Sequence, residues 1–201
     1  MVVELLLVRH ALPMTILRAE GPADPGLAPA GQQQAVELAA HLAAQRIDVL
    51  VTSPLRRALE TVRPVAESMG LTPKVCDDLA ESDRFSHTYV PMEDIRRDPR
   101  LAAAVAGAVA EQSQETREEF GTRVCRAMER VIDANPGRCV LVMSHGGVIN
   151  AYLASILGLQ RDVFFEPRYA SISRVLASRR GHRNIDTLNE SHYLRRQAVA
   201  P

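Results

Sequence analysis

Two histidines, His10 and His145, and the arginines Arg9, Arg56 and Arg57 stand at or just beyond the ends of short apolar runs. Arg9-His10 closes the run LLLV, Thr52-Ser53-Pro54-Leu55-Arg56-Arg57-Ala58 follows DVLV, and Ser144-His145-Gly146-Gly147 follows CVLVM. These side chains offer many N–H donors and no carboxylate, so a crevice they share suits a compact dianion such as a phosphoryl group. Neutral imidazole is a competent nucleophile near pH 7, so one of the two histidines could take the phosphoryl group covalently and yield it to water. Cationic neighbours hold an imidazole pKa down and keep the ring unprotonated. A helix opening after Gly146 would aim free backbone N–H groups and its positive dipole end at the same place.

These clusters need elements to position them. Residues 2–8 and 139–143, together with DVLVT at 48–52, read as short strands buried on both faces of a parallel sheet. Helical spacing of Ala35, Leu38, Ala39, Leu42 and Ala43 predicts a helix from Gly31 to about Gln45. Ser53 as N-cap and Pro54 at the first position open a second helix, which Gly70 stops at Met69. Further helices are expected over 101–110, 116–134 and 147–157, a short strand at 73–76, and an exposed hairpin over 172–188 turning at Arg180-Gly181. Alternating strands and helices argue an α/β fold, a three-layer α/β/α sandwich around a mostly parallel, mixed sheet. In such sheets the ligand site lies beyond the carboxyl ends of the strands, where all three clusters fall.

The blocks LLLVRHA (5–11), SPLRRALET (53–61) and MSHGGVI (143–149) resemble the three signature blocks of the histidine phosphatase superfamily, the phosphoglycerate mutase-like proteins. Weaker agreement extends to Asp24-Pro25-Gly26-Leu27 with Gly31, to Leu79-Ala80-Glu81, and to Leu188-Asn189-Glu190-Ser191-His192, so the likeness spans nearly the whole chain. The resemblance implies that His10 is the nucleophile forming a phosphohistidine and that Arg9, Arg57 and His145 bind the phosphoryl oxygens. Arg57 is taken over Arg56 because the matching arginine directly precedes the alanine, here Ala58. Glu81 would protonate the leaving oxygen and then activate water, with Asp77, Asp78 and Asp83 as neighbouring alternatives. Where the family usually has glycine and soon a threonine after the Arg-His pair, this chain has Ala11-Leu12-Pro13, which restricts the backbone. That departure, and a length shorter than the family's cofactor-dependent mutases, favour plain hydrolysis of a phosphomonoester. The alternatives are a phosphoglycerate mutase-type phosphotransferase and a catalytically weak module that binds a phosphorylated ligand.

Composition narrows the remaining classes. With 201 residues the chain suits one domain, 1–201, and can bury roughly 70% of its unfolded surface. Twenty-four basic residues balance 24 acidic ones, which argues against a general nucleic-acid or membrane-surface binder. Cys76, Cys125 and Cys139 form no CxxC pair and start no C-x5-R loop, excluding a zinc ribbon and cysteine-based phosphatase chemistry. No HExxH-like pair or carboxylate cluster is present, so no metal and no cofactor is expected. The first apolar run is too short for a signal peptide or a membrane span, which makes the cytoplasm the expected location. Val142-Met143-Ser144-His145-Gly146 misses an esterase nucleophile elbow by its first residue, a valine where that strained turn needs glycine. A small phosphorylated molecule is therefore the expected partner, with specificity assigned to an insertion at 83–119. Arg84, Phe85, His87 and Tyr89 are candidates for the mouth of its pocket, and the alanine-rich stretch 101–110 for a close-packed helix or a homodimer contact.

Overall fold

The computed structural model describes residues 1–98, 100, 101, 105, 115–160 and 163–194. The elements in chain order are β1 (Val2–Arg9), α1 (Pro29–Leu42), β2 (Val49–Thr52), α2 (Arg56–Met69), β3 (Lys74–Val75) and the short helix α3 (Met92–Arg97). They continue with α4 (Arg117–Ala134), β4 (Cys139–Ser144), α5 (Gly146–Leu157), β5 (Ile172–Ser178) and β6 (Arg183–Glu190). Two 3-10 turns, Asp77–Leu79 and Ser82–Phe85, lie between β3 and α3. The helix expected over 101–110 falls outside the described residues except at 101 and 105. Among the described residues no helix is long and apolar enough to cross a membrane.

One six-stranded sheet runs in the order β3-β2-β4-β1-β5-β6. The four strands from β3 to β1 are parallel, and β5 and β6 are antiparallel additions. Successive side chains along a strand alternate between faces, and the core divides accordingly. Leu5, Leu7, Val140 and Val142 meet α4 and α5 through Val124, Met128 and Leu153. Leu6, Val8, Leu141 and Met143 meet α1 and α2 through Leu38, Leu42 and Val62. This is the three-layer sandwich expected from the strand–helix alternation. The residues of 172–188 do form a hairpin, but β5 is largely buried because it pairs with β1, and only β6 shows an exposed alternation.

The start of α2 differs from expectation. Its first helical residue is Arg56, and Ser53 and Pro54 lie before it. Asp24, from the loop after β1, accepts from the Arg56 N–H at 2.9 and 3.1 Å and so caps the helix from outside it. The Ser53 hydroxyl accepts from the Leu55 N–H at 3.3 Å, just before the helix, and lies 2.6 Å from His145 Nε2.

Candidate active site

Strand register brings the three clusters level. Arg9 pairs with Ser144 across β1 and β4, and Thr52 with Met143 across β2 and β4. The ladder continues one residue past the strand ends: the His10 N–H donates to Ser144 O at 2.9 Å and the Ser53 N–H to Met143 O at 2.9 Å. His10 and His145 thus stand side by side, their ring centroids 5.1 Å apart.

Each ring is oriented by a second contact. His10 Nδ1 lies 2.8 Å from the Ala11 carbonyl, which can only accept, so Nδ1 carries the hydrogen and Nε2 keeps its lone pair. Burial, with Arg57 and Arg9 close by, holds the His10 pKa well below the ordinary histidine range. His145 is likewise held low, chiefly by burial and then by Arg57. Its Nε2 sits 2.6 Å from Ser53 Oγ, and its buried Nδ1 has no partner. With the Ser53 hydroxyl donating to Nε2, the remaining hydrogen of the neutral ring sits on Nδ1.

The two arginines are packed as rigidly. Arg9 donates to Pro167 O at 2.6 Å and lies 3.7 Å over the Tyr169 ring. Arg57 is only 1% exposed, faces Tyr89 at 4.6 Å and is paired with Asp83 at 2.7 Å. Arg56, one residue earlier, is exposed and paired with Glu60. Arg9 Nε and Arg57 Nε and Nη1 are buried without a partner. A buried N–H left unpaired costs about 1–3 kcal/mol, so four such groups, His145 Nδ1 included, amount to a standing demand for an acceptor-rich anion.

Glu81 approaches from the turn before Ser82–Phe85. Its carboxylate accepts from the N–H of Gly147 at 2.8 Å, in the first turn of α5, and of Ser82 at 2.9 Å. A Cβ at Gly147 would collide with that carboxyl group, so glycine is required for the approach. Arg123 of α4 fixes the turn from behind by donating to Asp78 O at 2.8 Å and Ala80 O at 3.0 Å. Burial, and then the nearby Asp83 charge, raise the Glu81 pKa, so it keeps its proton to higher pH than an ordinary carboxyl. Of the alternatives, Asp83 is engaged with Arg57 and Asp78 pairs with Arg130 at the surface.

Arg9, His10, Arg57 and Glu81 line one cavity of about 400 Å³, and the His145 ring is in contact with that of His10. Tyr89 lines it too, whereas Arg84, Phe85 and His87 are not among its lining residues. Sequence reasoning gave Ser53 and Asp83 other roles, a helix cap and an alternative acid, and missed Tyr169. Only the proximity of Ser53 and Asp83 to recognised blocks could have flagged them, and Tyr169 carries no local signal. Ala11 does not crowd the site. Its methyl group joins the cluster of Leu27, Ala35 and Ala170, while its N–H donates to Thr61 Oγ1 at 3.0 Å. No group of three or more potential metal ligands occurs among the described residues.

Fixed N–H donors beside one imidazole lone pair suit a compact anion, and comparison with known proteins supplies the family. The chain belongs to the histidine phosphatase superfamily, branch 1, whose family model matches residues 5–191. It is 30% identical over 141 residues to the phosphatase PhoE of Bacillus subtilis, covering 70% of this chain and 69% of that one. Phosphoserine phosphatase 1 of Hydrogenobacter thermophilus is 29% identical over 81% of this chain and 80% of its own. In fold, the chain superposes on mycobacterial glucosyl-3-phosphoglycerate phosphatase with a TM-score of 0.71 at 23% identity, covering 95% of this chain and all of that one.

Proposed function

We propose that the protein hydrolyses a phosphomonoester through a covalent phosphohistidine on His10. The observation that carries this reading is the set of buried, unpartnered N–H groups of Arg9, Arg57 and His145 around His10, whose Nδ1 is tied to the Ala11 carbonyl. In the first step the Nε2 lone pair attacks phosphorus and the bond to the leaving oxygen breaks. That oxygen takes the proton of Glu81, a carboxyl that lines the cavity and has a raised pKa. In the second step water attacks the phosphohistidine, its proton returns to Glu81, and the N–P bond breaks to restore the imidazole. Arg9, Arg57, the His145 Nδ1–H and the N-terminus of α5 stabilise charge on the phosphoryl oxygens in both steps.

Several cationic donors already surround the phosphoryl position, so the chemistry requires no metal. The test is turnover of p-nitrophenyl phosphate and p-nitrophenyl acetate before and after extensive EDTA treatment. The reading expects the phosphate to be cleaved, the acetate not, and EDTA to have no effect. Cleavage of the acetate alone, of neither ester, or a loss restored by one divalent metal overturns it.

A further inference from the structure

Beyond the phosphoryl end, the cavity changes character. The helix α3 places Met92 and Ile95 three positions apart, on one face, and both line the cavity with Val105. From the chain beyond α5, Val163 and Phe165 add further apolar surface. Two of these side chains are unusually exposed for their type, Val163 at 65% and Met92 at 46%, which leaves their apolar surface open to a bound group. Thr15 holds α3 in place by donating from Oγ1 to Asp94 Oδ2 at 3.0 Å.

Charge on the same walls argues in the same direction. Among the described lining residues the only cations are Arg9 and Arg57, both committed to the phosphoryl position. The other ionisable lining groups are the carboxyls Glu81, which keeps its proton to higher pH, Asp83, which is paired with Arg57, and Glu166. A substrate carrying its own carboxylate would bring a second negative charge to these walls and meet no third cation among their described residues.

We propose that the leaving group is uncharged and apolar, so that the substrates are alkyl or aryl phosphomonoesters rather than phosphorylated amino acids or phosphoglycerates. This rests on the hydrolysis proposed above. It separates the chain from relatives whose names specify phosphoserine or a phosphoglycerate ester.

The experiment compares kcat/KM for ethyl phosphate, hexyl phosphate, O-phosphoserine and 3-phosphoglycerate. The two alkyl esters have leaving groups of nearly equal basicity, so their ratio reads binding of the chain and not intrinsic reactivity. Each fully buried methylene is worth about a fourfold gain, so hexyl over ethyl is expected to reach at least about tenfold with partial burial. Both carboxylate substrates are expected to fall below hexyl phosphate. Met92→Glu and Val163→Glu are expected to collapse the hexyl-to-ethyl ratio toward one. A ratio near one in the unaltered protein, a preference for either carboxylate substrate, or a ratio indifferent to both substitutions overturns the apolar leaving group while leaving hydrolysis intact. No turnover of any of the four, nor of p-nitrophenyl phosphate, overturns hydrolysis itself.

Discussion

The two ends of the cavity are built by different means. The phosphoryl end rests on the carboxyl ends of β1, β2 and β4, where ladder hydrogen bonds run one residue past the strands and leave His10, Ser53 and His145 little freedom. The leaving-group end hangs on a six-residue helix and on chain outside the sheet, and its walls are apolar side chains. On the proposed reading, the sheet holds the reacting groups, where misplacement costs most, and segments outside the sheet receive the leaving group.

The largest effect is expected at the phosphoryl end. His10→Ala is expected to lower kcat/KM for p-nitrophenyl phosphate by at least about a thousandfold, because both steps pass through that nitrogen. The far-ultraviolet circular dichroism spectrum should be unchanged, since the ring faces a polar cavity at a strand end. A folded variant retaining most of its activity would show that the sheet end does not carry the chemistry.

Glu81 joins the two ends, and its replacement sharpens the boundary between them. An alkoxide leaves poorly without a proton, whereas p-nitrophenolate hardly needs one. Glu81→Gln is therefore expected to slow alkyl phosphates about 10²-fold more than p-nitrophenyl phosphate. Asp78→Asn and Asp83→Asn are the controls. If Glu81→Gln slows both substrates equally and an aspartate variant shows the leaving-group dependence, that aspartate is the acid.

A smaller effect is expected from the residue behind His145. Ser53→Ala removes the hydroxyl that fixes the ring and its tautomer. Losing one such hydrogen bond is worth about tenfold in kcat, with KM little changed. Ser53→Thr, which keeps the hydroxyl, should restore most of the rate. Failure of threonine to rescue, with both variants folded, would give Ser53 a packing role only.

The smallest effect concerns stability. Because His10 and His145 are held well below their ordinary pKa of about 6.5 in the folded protein, the unfolded chain binds protons there that the folded one does not. Urea unfolding should show stability falling as pH drops below about 6.5, by at most about 1.4 kcal/mol per pH unit for each histidine. Glu81 acts with the opposite sign. Its raised folded pKa stabilises at low pH, and that contribution is lost as pH rises through the raised value, which blunts the histidine slope. His10→Ala should make the acid limb shallower, and an unchanged limb would mean that His10 titrates normally.

Legibility in the sequence follows the same division. The strands, the sandwich and the polar clusters at three strand ends could be read from short local patterns, whereas Glu81 and the choice of Arg57 over Arg56 rested on the family resemblance. Ser53 was read as a helix cap because a serine before a proline has that meaning locally. Only the fold reveals that Asp24, 32 residues before Arg56, caps α2 and that the serine hydroxyl also reaches His145. Ala11 looked like an obstruction to phosphate on sequence grounds, yet its position needs no positive φ and its methyl group turns into a small apolar cluster. Met92, Ile95 and Val105 fall inside the 83–119 stretch expected to set specificity, but nothing local marks them as apolar walls, and Val163 and Phe165 reach the same cavity only through the fold.

The central claim is that the phosphoryl group resides on His10 during turnover. Rapid acid-free quenching of the protein with a ³²P-labelled phosphomonoester, followed by peptide mapping, tests it directly. Label that is base-stable, acid-labile and confined to the peptide containing His10, and absent from His10→Ala, is the expected result. Label on His145 or on a serine, or turnover with no trapped phosphoprotein at any time point, would contradict it.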